Sequence, residues 1–198
     1  MMRKLVAAVA GIPVLSLGLT LPASAAAPGH SQQATSCGVW RWPVKTGSDA
    51  DRFKVDKTAI ATTIHHLRSL KAPLSFAGFQ RHRFRGAERH TWHLDRVRLT
   101  AYRIEDDSDI HLVIRNAAGK TMIAEIPNPR CVSRKSLWRS QITAAHRTFM
   151  ARDHATTSWK HVHQRITLRG LGFFDEIHDV TGQAPNGIEL HPVTRVRF

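Results

Sequence analysis

The sequence predicts an α+β fold made mostly of strands, in the order β-β-β-α-β-β, behind an N-terminal helical extension. Three observations carry this. From Thr91 onward apolar residues recur with period two in five separate runs. A single helical spacing, Trp138, Ile142, Ala145 and Phe149, interrupts them after the third run. Glycine, proline and Asn-Gly pairs punctuate the joins.

Residues 1–25 read as a Sec-type signal peptide: Arg3 and Lys4, an apolar run to about Leu21, then small residues with cleavage near Ala25. The chain is therefore expected to be secreted, with no transmembrane segment. Residues 26–36, small and polar, are expected to be a disordered linker. Beyond it stand the only two cysteines, Cys37 and Cys131, which in an oxidising compartment are expected to pair. Residues 37–90 form the helical and Arg-rich extension. Ile60, Ile64, Leu67 and Leu70 recur at spacings of four, three and three, which predicts a helix over Asp56 to Leu70 that Pro73 stops. His65 and His66, adjacent on that helix, share no face and read as solvent residues. Gln80 to His90 has no period and reads as a loop.

The remaining 91–198 carry the five strands. Trp92 to Ala101 is the first, with its phase slipping at Asp95 and Arg96, where a bulge is expected. Ile110, Leu112 and Ile114 mark the second, Asn116 to Gly119 a hairpin turn, and Thr121 to Ile126 a third ended by Pro127 and Pro129. Ser133 is the expected N-cap of a helix running to about Arg152. Val162 to Leu168 alternates as a fourth strand that the glycines of RGLGFFD are expected to break, and Ile188 to Phe198 is the fifth. Three strands, a helix, then two strands is the order of a five-stranded OB-like barrel, whose helix plugs one end. The runner-up is an open α+β sandwich.

Candidate site residues follow from strand geometry. Residues two apart on a strand share a face, so Asp109 with His111, and Glu189 with His191, each aim one carboxylate and one imidazole the same way. In a barrel the two pairs would meet. Asp109, His111 and His191 are then candidate ligands of a divalent metal ion, with Glu125, Asp175 and Glu189 as candidate catalytic carboxylates. The alternative is that each acid merely orients its neighbouring histidine on a wet surface. Glu125 faces His111 only if hairpin residue numbers sum to 236, whereas a sum of 235 puts it opposite Ile110; the sequence allows both. The polar connection from Asp175 to Asn186, which also holds Glu176, His178 and Asp179, reads as a binding loop or as an ordinary turn.

Charge points elsewhere. With 29 Lys and Arg against 15 Asp and Glu, the chain carries a formal charge of +14, which suits a polyanionic partner such as nucleic acid or an anionic cell-envelope polymer. Arg81, Arg83, Arg85, Arg98, Arg139 and Arg147 are the candidate polyanion contacts, with Phe84, Trp92, Trp138 and Trp159 as candidate stacking surfaces. A general richness in arginine that only maintains solubility is the competing reading. No GxSxG, phosphate-binding glycine loop, HExxH, EF-hand loop or internal repeat is present.

The blocks WPVKTGSDAD, EDDSDIHLVIRNAAGKTMIAEIPNPRC and GFFDEIHDVTGQAPNGIELHPV resemble a group of exported bacterial proteins of uncharacterised function, from Trp42 to the C-terminus. The resemblance implies export but no activity. The strand order also resembles thermonuclease-type OB barrels, although the Asp cluster and Arg-Leu signature of those nucleases are missing. Two functions are thus expected: a secreted, basic, OB-like binding protein for a polyanion, or a metal-dependent phosphodiesterase-like hydrolase built on the acid and histidine pairs.

Overall fold

The computed structural model describes residues 36–198; the signal-peptide expectation and residues 26–35 of the linker lie outside them. The element order is α1 (Trp42–Lys45), β1 (Asp56–Thr62), α2 (Ile64–Ser69), β2 (His90–Ile104), β3 (Ile110–Arg115), β4 (Thr121–Ile126), α3 (Arg139–Asp153), β5 (Lys160–Phe174) and β6 (Ile188–Arg197), with three short 3-10 turns. The fold is α+β and mostly strands. Among the described residues no helix is long and apolar enough to cross a membrane.

One six-stranded sheet runs β1-β2-β3-β4-β6-β5, and a further pairing of β2 with β5 closes it into a ring. The long β2 makes closure possible, because β5 lies along one side while β1 and β3 share the other. Register slips in β2 between Leu94 and Val97, where the expected bulge falls and Arg96 takes a positive φ of 46°. The hairpin joins β3 to β4 with His111 opposite Glu125, so the sum of 236 is realised. The seam between β4 and β6 is parallel and short, pairing only Ile123 with Glu189 and Ala124 with Leu190.

Ring closure sorts the side chains. Ile110, Leu112 and Ile114 of β3 and Met122, Ala124 and Ile126 of β4 enter one core with Leu168, Leu190 and Val196, which Ala145 and Phe149 of α3 and Ile64 and Leu67 of α2 complete. Each of these is almost fully buried. The alternate residues of the same strands, His111, Glu125, Glu189 and His191, therefore face away from that core.

Three expectations are corrected. The predicted helix over Asp56 to Leu70 is a strand followed by a six-residue helix. Its first half, rich in β-branched residues, pairs in parallel with β2, and the Thr63 side chain accepts the His66 N–H to start α2. β5 is not broken by its glycines but runs through Gly170 and Gly172 to Phe174. There the missing Cβ admits close backbone: a Cβ on Gly172 would lie 2.2 Å from the Ala87 carbonyl oxygen. The third helix starts six residues after Ser133, behind Trp138, whose N–H is taken by the Ser136 hydroxyl.

Candidate acid and histidine pocket

His111 and His191 leave β3 and β6 toward the same side of the sheet, and Glu125 of β4 stands between them. Its Oε1 is 3.2 Å from His111 Nδ1 and its Oε2 is 2.9 Å from His191 Nδ1. The opposite edge of each ring is fixed. His191 Nε2 lies 3.0 Å from Asp109 Oδ2, and His111 Nε2 lies 2.9 Å from the Thr181 carbonyl oxygen. A carbonyl only accepts, so His111 donates from Nε2; the Asp109 carboxylate places the same proton on His191. Asp109 is itself oriented through Oδ1, which accepts the Asn128 N–H at 3.1 Å. Both rings are further held edge to face, His111 by Trp159 and His191 by Phe173.

Both Nδ1 atoms are buried, and neither makes a directed hydrogen bond despite its closeness to Glu125. Glu189 Oε2, 3.9 Å from His191 Nδ1, is likewise buried with no hydrogen-bond partner. Glu105 Oε1 adds a further oxygen 3.3 Å from His111 Nδ1. Two ligand groups result, Glu105 with His111 and Glu125, and Asp109 with Glu125 and His191, each with ligand atoms within 4.8 Å of one another. In the first group the 3.2 and 3.3 Å separations of His111 Nδ1 from the Glu125 and Glu105 oxygens match neighbouring ligands on one ion held at about 2.1 Å.

Electrostatics follow from burial and crowding. Burial opposes the charged form of both imidazoles, yet the carboxylates prevail: Glu105 and Glu125 push His111 up to about 10, and Glu125 with Asp109 holds His191 well above the usual histidine value. Burial likewise opposes the Glu125 anion, but the two histidines pull it well below the usual range. Burial raises Glu189 to about 7 and Asp109 to about 6. Lys45 of α1 enters the same pocket, its Nζ 3.4 Å from Asp175 Oδ2 and 5.4 Å from the Phe173 ring centroid. Burial alone would lower its pKa; Glu125, Asp175 and Glu189 raise it instead. The pocket encloses about 250 Å³ and opens past Glu105, Asp107 and Glu176.

Asp109, His111, Glu125, Glu189 and His191 are thus brought together, with Asp175 at the edge beside Lys45. Asp109 sits behind His191 as an orienting group, not on the Nδ1 side. The loop from Asp175 to Asn186 divides in role. Thr181 fixes His111, while the Asn186 amide donates to the Leu67 and Leu70 carbonyls and anchors the loop to α2. Lys45, Glu105 and Asp107 were not anticipated as site residues, and Trp159 was expected only as a stacking surface; the acidic run EDDSD is the sequence signal that pointed to Glu105 and Asp107.

The polyanion candidates do not converge. Arg83 is buried, donating to Asp49 and to the Glu88 and Val44 carbonyls, so it serves the core and not a ligand. Arg81, Arg85, Arg98, Arg139 and Arg147 are exposed. The proposed stacking residues Trp92 and Trp138 are also buried, and Phe84 packs on Phe79. Cys37 and Cys131 form the expected disulfide.

The fold and site together define an α+β protein with a buried cluster of acids and histidines on the outer side of a closed strand ring. No family model, curated protein or solved structure matches the chain.

Proposed function

We propose that the chain is an exported protein of the metal-dependent hydrolase type, which holds a divalent cation between Glu105, His111 and Glu125. The observation that carries this is the buried His111 Nδ1, whose ring is fixed from the far side by Thr181 and which stands 3.3 and 3.2 Å from the Glu105 and Glu125 oxygens without a hydrogen bond. With no ion bound the same carboxylates hold the imidazoles charged, and a divalent cation would take the place of the His111 Nδ1 proton. The ring of five strands, with β1 as an added edge strand, supports the reading of an OB-type barrel, since its order of pairing and the place of α3 between β4 and β5 suit that topology. The disulfide supports export.

A bound cation would lower the pKa of a water molecule at its open position. The chain's own groups then divide the work. Glu105, Glu125 and His111 Nδ1 would hold the ion, Thr181 would keep the His111 ring in the tautomer that exposes Nδ1, and His191, oriented by Asp109, would position Glu125. Glu189 accepts a proton from water, and Lys45 stabilises negative charge that develops on the substrate. Asp175 keeps Lys45 aimed into the pocket.

Calorimetric titration of the purified, chelator-stripped chain with zinc or manganese tests the reading. Saturable uptake is expected, with Glu125→Gln reducing affinity by about 100-fold. Absence of uptake, or equal uptake by Glu125→Gln, refutes it.

A further inference from the structure

Six arginines that no motif connects are gathered by the sheet register. Arg98 on β2 is paired with Arg115 on β3 to one side and with Arg165 on β5 to the other. Farther along β5, Arg169 stands opposite Arg195 of β6, and Arg197 follows two residues on. All six are exposed. Neighbouring strands lie about 4.8 Å apart and four residues of strand span about 13 Å, so the two rows form a stripe across four strands of the outer surface.

Among the described residues none of the six has a carboxylate within ion-pair reach; Arg115 donates to the Gly119 carbonyl and Arg165 to that of Arg96. The nearby Asp95 is occupied by the Thr167 hydroxyl. Like charges directly opposite on paired strands are destabilising. Consistent with this, Arg197 and Arg169 hold the guanidinium of Arg195 below its usual pKa.

We propose that this face binds duplex nucleic acid through its phosphates. Repeated charge over two rows suits a polymer better than one small anion, and planar guanidinium forks match phosphate oxygens two at a time. The neighbouring Phe198 ring, although 39 % exposed, is engaged by Phe149 and Arg152, which leaves it a poor platform for base stacking. A ligand whose bases are already stacked on each other therefore fits best.

The test is fluorescence titration of the full chain with a 20-base-pair duplex at several salt concentrations, chelator present so that the acid and histidine pocket does not contribute. Five phosphate contacts would give a slope of log affinity against log salt of about −4.5. The variant Arg98→Ala/Arg115→Ala/Arg165→Ala, with its melting temperature checked, is expected to flatten that slope by about 3. Its low-salt affinity should fall on the order of 30-fold, while Arg81→Ala/Arg85→Ala changes neither. Failure to bind duplex at low salt, equal losses in both variants, or tighter binding of single strands or of a polyuronate with matched charge would overturn the proposal.

Discussion

Asp51 receives three donors at once: Lys54 Nζ at 2.7 Å, the Arg83 backbone N–H at 3.0 Å and His82 Nδ1 at 3.2 Å. Burial works against its charge, yet these bonds hold the carboxyl at about 2. A depressed folded value means that the stabilisation is complete above the unfolded pKa of about 3.9 and is lost as pH falls toward 2. Lys54 and His82 are more than half exposed, so solvent screens the gain to about 1 kcal/mol. Asp51→Asn should lose that much in urea unfolding at pH 7 and clearly less at pH 2, where the folded carboxyl is about half protonated; an equal loss at both would refute it. The same residue scale explains what was legible in the site. Strand alternation placed Asp109, His111, Glu189 and His191 in pairs before any coordinates, because a period of two fixes the face. It left Glu125 open, since alternation says nothing of register. Lys45 was illegible, for it reaches the pocket from a four-residue helix whose position is set by tertiary contacts alone. Among these, Arg41 donates to both Glu88 oxygens at 2.8 and 2.9 Å.

At the level of elements, β1 and β5 departed from expectation for opposite reasons. The apolar spacing around Ile60 fits a helix, but neighbouring β2 offers an open edge, and pairing along that edge outweighs a weak local preference. Ile60 consequently ends 39 % exposed. In β5 the glycines were read as punctuation when they serve close approach. Gly172→Ala tests this, because its methyl would meet backbone at 2.2 Å, where no side chain can give way. A loss of about 2 kcal/mol is expected, a fall of roughly 4–8 °C in Tm by thermal melting. A change under one degree would show that the turn at Ala87 yields easily. By contrast β2, β3, β4 and β6 were legible almost to their ends, since each combines alternation with a turn or proline boundary.

For the whole molecule, the disulfide between Cys37 and Cys131 closes a loop of 94 residues that contains β1 to β4. It also positions the segment that carries Lys45, where Trp42 donates from its indole to the Cys131 carbonyl at 3.1 Å. By loop entropy the bond contributes about 4–5 kcal/mol. Cys37→Ser/Cys131→Ser should lose most of that in denaturant unfolding, and a loss under about 1 kcal/mol would show the segment to be held by its packing alone. The order of elements from residue 91 was read from the sequence, whereas the attachment of residues 37–90 was not, because it depends on contacts between residues far apart in the chain.

The short parallel seam of β4 and β6 carries one further consequence. Only two residues from each strand close the ring there, and Glu125 sits on one bank with Glu189 and His191 on the other. The 2.9 Å contact of Glu125 with His191 rivets the ring at its most weakly stitched joint, and an ion that takes Glu125 as a ligand would pull on that rivet. Ligand uptake and ring opening would then be one equilibrium, and the amides of Ala124 and Leu190 would exchange hydrogen fastest when the rivet is out.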